Sequence, residues 1–206
     1  KFLENIEIPN DSKLKIINSY DFRNSSIMSI SIPSNLIKIN KLAFFNCNHL
    51  VNVNISNDSR LQIISQETIA NSSISSFSIP DNASIIGESA FNNCKKLKSN
   101  NVSTNSKLEI IYEEAFYETS IEKISIPSNI TVIFEGSFSY SKIKKFEISH
   151  NSKLEKLEKA VFECSSIEEI TIPSSLKSID EGWCKGIDKL TKIAILPSQK
   201  QYIQYY

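Results

Sequence analysis

The chain has 206 residues, and its 23 Lys and Arg residues balance its 23 Asp and Glu residues. This balance gives no reason to expect binding to nucleic acid or to an anionic membrane surface. With only four glycines and no glycine-rich phosphate-binding motif, a nucleotide site is not expected either. No apolar run approaches the roughly 18 residues that span a bilayer, so we expect no membrane insertion by this segment.

Nine short strands are predicted in chain order, each by a pair of residues, apolar in eight of the nine pairs, that flank one outward residue. The outward residue is polar except for Ala194. The first residues of successive pairs lie 22 to 24 positions apart, which predicts eight full repeats and a ninth strand. Asn100 with Val102 is the one pair that contains a polar residue. The other pairs are Ile6 and Ile8, Ile30 and Ile32, Val53 and Ile55, Phe77 and Ile79, Ile124 and Ile126, Phe146 and Ile148, Ile170 and Ile172, and Ile193 and Ile195.

Two further apolar columns recur in phase with these strands. L-x-x-I pairs such as Leu14 with Ile17 and Leu36 with Ile39 form a second ridge. One repeat cannot bury its apolar side alone, so we expect stacked repeats to align the columns into a continuous core. The third column is mostly aromatic and comprises Phe22, Phe44, Ile69, Phe91, Phe116, Phe138, Phe162 and Cys184.

A polar column follows each of the first eight strands. Its side chains either suit a turn or bond the backbone of the neighbouring repeat. Recurrence at all eight repeats favours the second alternative, because unpaired backbone groups inside a repeat are costly. We therefore expect an inward-facing structural ladder made of Asp11, Asn35, Asp58, Asn82, Asn105, Asn129, Asn151 and Ser175.

The repeat unit I-x-I-P-S-x-L-x-x-I-x-x-x-A-F-x-x-C-x-x-L is best preserved at residues 30–50 and 77–97. It resembles the BspA-like, or treponemal-type, leucine-rich-repeat family over essentially the entire chain. The resemblance implies an α/β, mostly β, right-handed solenoid of about eight repeats, with a parallel sheet on its concave face. Residues 1–206 would then form a single leucine-rich-repeat domain, and we expect it to be a segment of a longer protein.

Cys47 and Cys94 share one phase, two repeats apart. At about 4.8 Å per stacked strand their α-carbons should lie about 10 Å apart, beyond the reach of a disulfide. Ile187 occupies the same slot in the eighth repeat, so the slot is predicted to be apolar and the thiols reduced and structural. Cys164 sits in a different phase, where we expect partial exposure.

Neither the cysteines nor the two histidines have metal-ligand or catalytic spacing. His49 and His150 fall in turns of different repeats and at different positions within the repeat. Acidic pairs such as Glu113–Glu114 are adjacent in sequence, which is typical of a solvent-exposed face. We therefore expect no metal, no cofactor and no enzyme activity.

Eight glycosylation sequons begin at Asn10, Asn24, Asn54, Asn57, Asn71, Asn82, Asn101 and Asn129. Asn82 and Asn129 should be inaccessible to a glycan, whereas Asn24 and Asn71 in loops are better candidates.

Outward residues of the strands should align into one rigid surface for a protein ligand of unspecified identity. The family resemblance implies a cell-surface or extracellular adhesin that binds host or neighbouring-cell proteins, with its signal and anchor outside this segment. The alternative is an intracellular scaffold for protein–protein interaction. Open solenoid ends make self-association a further expectation. The predicted concave-face binding residues are Lys98, Asn101, Lys123, Ser125, Lys145, Glu147, Glu169, Thr171 and Lys192.

Overall fold

The computed structural model describes residues 4–103, 105–149 and 151–196. His150, considered above, and the closing QYIQYY lie outside the described residues. The chain forms a parallel β-solenoid in which each repeat makes one three-sided coil of about two dozen residues. Each coil consists of a main strand, a two-residue second strand and a side built from turns.

The main strands are the odd-numbered ones, and they follow the predicted apolar pairs. Their alternation turns one set of side chains into the core and the other set outward. They pair in parallel as β1-β3-β5, β7-β9 and β11-β13-β15-β17, and β5 packs beside β7 as β9 packs beside β11. Their bounds are β1 Asn5–Glu7, β3 Ser29–Ile32, β5 Asn52–Ile55, β7 Ser76–Ile79, β9 Ser99–Val102, β11 Lys123–Ile126, β13 Lys145–Ile148, β15 Glu169–Ile172 and β17 Lys192–Ile195.

The even-numbered strands form one continuous eight-stranded parallel sheet, in chain order from β2 to β16. Five of them, β2, β4, β6, β10 and β16, end on the isoleucine of an L-x-x-I pair, and the other three end on Ile86, Ile133 and Leu157 at the same place, which confirms the second apolar ridge. Their bounds are β2 Ile16–Ile17, β4 Lys38–Ile39, β6 Ile63–Ile64, β8 Ile85–Ile86, β10 Ile110–Ile111, β12 Val132–Ile133, β14 Lys156–Leu157 and β16 Ser178–Ile179.

The third side of each coil consists of turns, and no helix occurs among the residues that the structure describes. Every second backbone N–H on this side donates to the next coil, as from Phe44 to the carbonyl of Thr68 at 2.8 Å. Two residues per coil, four positions apart, have positive φ, a conformation that interrupts any right-handed helix. The α component of the predicted fold class is therefore absent here. The positive-φ pairs are Tyr20/Asn24, Leu42/Asn46, Glu67/Asn71, Ser89/Asn93, Glu114/Glu118, Gly136/Tyr140, Ala160/Cys164 and Gly182/Gly186.

The aromatic column runs through the centre of the stack, as predicted. Phe91 and Phe116 stack at 5.2 Å between ring centroids, and Phe116 stacks on Phe138 at 5.4 Å. Beyond Phe162 the next ring contact is with Trp183, at 6.1 Å between centroids. Cys184, the predicted last member of the column, is half-buried. This core fixes the spacing of the coils and hence of the side chains on the outer surface.

Candidate functional site

The outward side chains of the odd-numbered strands form one continuous surface, which we call the main face. Its half over β3 to β9 carries only serine and asparagine at these positions: Ser29, Ser31, Asn52, Asn54, Ser76, Ser78, Ser99 and Asn101. Its half over β11 to β17 is charged, with Lys123, Ser125, Lys145, Glu147, Glu169, Thr171, Lys192 and Ala194. The two halves therefore offer a partner different chemistry on the same backbone geometry.

Strand register brings the predicted charged residues together. Lys145 lies directly between Lys123 on one neighbouring strand and Glu169 on the other. The Glu147 carboxylate accepts from both lysines, at 2.9 Å from Lys123 Nζ and 3.2 Å from Lys145 Nζ. Farther along, Lys192 lies 3.7 Å from a carboxylate oxygen of Glu169. We call Lys123, Lys145 and Glu147 the bridged cluster.

The two lysines favour the ionised form of the Glu147 carboxylate. The hydrogen bond from Lys123, assisted by the one from Lys145, lowers the pKa of Glu147 from its ordinary value. Both lysine side chains are more than half exposed, so water screens the pairs and their contribution to folding stability is small. The cluster therefore orients exposed charge without being needed to hold the strands together.

Two shallow depressions, each of about 600 Å³, lie on the main face, the first across the border between its two halves and the second largely on the charged half. The first is lined by Lys98, Asn101, Lys123 and Ser125, together with apolar Val102. The second is lined by Ser125, Lys145, Glu147 and Thr171, together with apolar Val102 and Leu196. Seven of the nine predicted binding residues thus line a depression, whereas Glu169 and Lys192 lie outside both linings.

The predicted polar ladder forms differently in the even and odd coils. In even coils the side chains are half-buried, and two of them donate to a neighbouring coil. Asn82 Nδ2 donates to the carbonyl of Ser59 at 2.9 Å, and Ser175 Oγ donates to the carbonyl of Leu154 at 2.7 Å. The other two, Asn35 and Asn129, are half-buried as well, and Asn129 Oδ1 accepts from Lys153.

In odd coils the expectation of an inward ladder is wrong. Asp11, Asp58, Asn105 and Asn151 are all exposed. The inward role falls to the serine one residue later, whose Oγ accepts from the backbone N–H two residues on, as Ser106 does from Leu108 at 3.2 Å. The Ser-x-Leu motif is the sequence signal for this column, which comprises Ser12, Ser59, Ser106 and Ser152.

Cys47 and Cys94 are fully buried, as expected, but their slot is not apolar. Cys47 Sγ donates to the carbonyl of Phe22 at 2.9 Å, and Cys94 Sγ donates to that of Ile69 at 3.3 Å. Burial raises the pKa of Cys47, and it raises that of Cys94 to about 11. Except for Ile187, the slot holds small donors: Ser25, Cys47, Ser72, Cys94, Thr119, Ser141 and Ser165.

The remaining candidates for chemistry do not converge. Cys164 is exposed, Cys184 is half-buried, and His49 is exposed in a turn. Within the described ranges no group of three or more His, Cys, Asp or Glu side chains could hold a metal ion. Over the same ranges no helix has the length and apolar composition needed to cross a membrane.

Comparison with solved structures finds several similar proteins. The pneumococcal vaccine antigen PcpA is 19% identical, with 94% of this chain and 72% of that chain covered and a TM-score of 0.59. A leucine-rich cell surface protein from Faecalibacterium prausnitzii is 16% identical, with coverages of 98% and 90% and a TM-score of 0.49. The leucine-rich-repeat protein of T. pallidum is 14% identical, with coverages of 93% and 69% and a TM-score of 0.49.

At these identities the likeness to PcpA shows the fold alone. No curated protein sequence matches the chain. The family model described as BspA type Leucine rich repeat region matches residues 1–98 and 97–206, with six copies. Because these matches run along the whole sequence and the coils repeat in register, the chain belongs to the BspA-type leucine-rich-repeat family.

Proposed function

We propose that the chain is a non-enzymatic protein-binding module of a cell-surface adhesin, and that it binds its partner on the main face over β11 to β17. The observation that carries this proposal is the bridged cluster, in which one carboxylate holds two lysines on adjacent strands. A leucine-rich-repeat solenoid presents an extended surface to its partners. In this chain the charged half of the main face carries the side chains that can orient a partner.

The geometry of the charged half favours binding in three ways. Its residues stand on paired strands over a packed core, so little side-chain or backbone ordering is needed when a partner docks. The alternating lysines and glutamates favour a partner of complementary mixed charge and speed its approach more than they add affinity. Short side chains at Ser125, Thr171 and Ala194 let a partner approach the sheet closely.

A surface location is supported by the family and by one structural relative. PcpA, which shares the architecture, is described as a pneumococcal vaccine antigen. We extend surface exposure from that description to this chain, together with adhesion to proteins of a host or neighbouring cell.

An adhesion assay tests this function. Beads coated with the chain are applied to intact host cells and to cells whose surface proteins have been removed by protease. We expect the beads to adhere to the intact cells and to lose adhesion after protease treatment. Beads coated with the unfolded chain serve as the control. Equal adhesion to both kinds of cell would contradict a protein ligand.

A further inference from the structure

The eight sequons do not occupy equivalent places on the solenoid, and two of them lie on the main face. Asn54 projects from β5 and Asn101 from β9, and both side chains are exposed. Each lies beside an outward serine of the adjacent strand, Ser31 for Asn54 and Ser78 for Asn101. Small neighbours leave room for a bulky substituent at both positions.

Other sequons are tied into the fold. The side-chain nitrogen that would carry a sugar on Asn82 instead donates to the carbonyl of Ser59 at 2.9 Å. Asn129 is half-buried, with its Oδ1 accepting from Lys153 Nζ at 3.3 Å. A glycan on Asn82 would displace this contact between neighbouring coils, and a glycan on Asn129 would meet the half-buried surroundings of that side chain. A correctly folded molecule should therefore carry none at either position.

Asn24 and Asn71, the two loop candidates, differ from each other. Asn24 is exposed, and only its Oδ1 is used, accepting from Asn46 Nδ2 at 2.8 Å. Asn71 is half-buried and accepts from Asn93 Nδ2. Asn24 is thus open to modification without loss of its hydrogen bond, and it serves below as an internal reference.

We propose that Asn54 and Asn101 carry N-linked glycans, which shield the uncharged half of the main face and set the boundary of the protein-binding surface. The inference rests on the proposed function, because a surface protein passes through a secretory pathway. No sequon begins after Asn129, so β13 to β17 contain no modified asparagine. The Asn101 glycan stands at the first depression, whose lining also includes Lys98 and Lys123.

The modification is a group transfer from an oligosaccharide–diphospholipid donor by a membrane-bound transferase. Asparagine Nδ2 forms a bond to the anomeric carbon of the first sugar, and the bond from that carbon to the phosphate oxygen breaks. The lipid diphosphate leaves with the electron pair, and the amide nitrogen gives up one proton to a base of the transferase. No atom is oxidised or reduced.

Glycopeptide mass spectrometry tests the proposal on the chain secreted from a eukaryotic host behind an added signal sequence. The folded, monomeric fraction should carry glycan at Asn24, Asn54 and Asn101, and none at Asn82 or Asn129. Unmodified Asn54 and Asn101 would overturn the proposal. Glycan on Asn82 or Asn129 in that fraction, at the same occupancy as on Asn101, would overturn the structural sorting on which it rests.

Lysine labelling with an amine reagent tests the shielding without any ligand. Lys98 should react several-fold more slowly in the glycosylated chain, and Asn101→Gln should restore its rate. Ser103→Ala, which removes the sequon but keeps the asparagine, should act in the same way. Lys192, four main strands beyond Asn101, should react equally in all forms. An unchanged Lys98 rate in occupied chain would refute shielding, whereas absence of cell adhesion would count only against the proposed function.

Discussion

The buried slot of Cys47 and Cys94 illustrates how single side chains complete the backbone of this solenoid. In four coils a carbonyl of the third side accepts from a small side chain of this slot, which lies three residues later in the same coil or at the equivalent place in the next coil. Thr119 does so to the carbonyl of Phe116 at 3.0 Å, and Ser141 to that of Phe138 at 2.7 Å. A thiol suits this position because it is both a compact apolar group and a weak donor.

Thiol reactivity follows from this burial. At pH 8 a thiol reagent should modify Cys164 in the native protein, while Cys47 and Cys94 should react only as the chain unfolds. The measurement is the rate of labelling at each cysteine with increasing urea. Rapid labelling of both Cys47 and Cys94 without denaturant would contradict the structural role.

Alkaline pH should destabilise the fold through Cys94. Its ordinary pKa of 9.0 applies to the unfolded chain, whereas burial raises it to about 11 in the folded state. The contribution of the buried Cys94 thiol to folding stability is fully present below pH 9. It is lost as the pH rises to about 11, the pKa of Cys94 in the folded state, because the unfolded chain releases its proton first. Between those values the free energy of unfolding should fall by about 1–3 kcal/mol more than in Cys94→Ser. Parallel urea titrations of the two proteins should diverge over this range, and superimposable pH profiles would contradict the assignment.

Ala160 is a residue held in a conformation that glycine adopts more readily. Its φ is 54°, and the equivalent residues of the adjacent coils are Gly136 and Gly182. The left-handed conformation costs an alanine about 1–2 kcal/mol. A glycine avoids this cost, but it makes the unfolded chain more flexible, which lowers the folding stability by about 0.4–1 kcal/mol. We expect Ala160→Gly to stabilise the protein by about 0.5 kcal/mol. Ala160→Val should destabilise it by at least about 1 kcal/mol. The measurement is the urea concentration at the unfolding midpoint of each variant. A lower midpoint for Ala160→Gly than for Ala160→Val would contradict this account.

Among the structural elements, the central aromatic stack holds the largest side chains of the core. Phe116 is fully buried between Phe91 and Phe138, with its ring nearly parallel to both. Two of the main strands add phenylalanines that meet the column edge-on, Phe77 against Phe91 and Phe146 against Phe162. The stack therefore joins the third side of the coil to the main sheet.

Truncation of this stack should be costly. Phe116→Ala is expected to lower the free energy of unfolding by about 3–5 kcal/mol. Phe116→Leu should cost much less, since Ile69 shows that an aliphatic side chain fits the same column. Equilibrium denaturation compares the two variants. A loss below about 1 kcal/mol for the alanine variant would show that the ring contributes little to packing.

The elements differ in how far the sequence predicts them. The main strands were predictable because most of their apolar residues alternate with polar ones, and the place of the even-numbered strands was predictable as an apolar ridge that recurs at fixed spacing. The turns of the third side were not, since their positive-φ positions are filled by residues such as Leu42 and Tyr20 that carry no turn signal. The inward ladder of the odd coils was displaced by one residue, because both Asp58 and Ser59 suit a turn and only stacking decides which one is buried.

On the scale of the whole molecule, strands contact only their neighbours in the stack, so the surface is built by repetition rather than by convergence of distant segments. The sequence therefore sufficed to predict which outward strand residues share the main face, whereas Lys98, predicted with them, lies one residue before β9. It did not predict that one glutamate bridges two lysines, because that depends on rotamers and register. Ile193 and Ile195 of β17 are 53% and 74% exposed, so self-association through this end stays a prediction.

Charge reversal tests most directly where the partner binds. Lys123→Glu with Lys145→Glu removes the two ion pairs of the bridged cluster. Lys159→Glu with Lys177→Glu is a matched control, because it also removes two exposed pairs, to Glu135 and Glu155, outside the main face. Each double variant should change thermal stability only slightly, since the positions are exposed.

The decisive measurement is adhesion of beads coated with each double variant, over a range of salt concentrations. We predict that the Lys123/Lys145 variant adheres several-fold more weakly than the wild type and loses much of the salt dependence of adhesion. The Lys159/Lys177 variant should behave as the wild type does. Equal adhesion of the two variants, with equal salt dependence, would contradict the assignment of protein binding to the main face over β11 to β17.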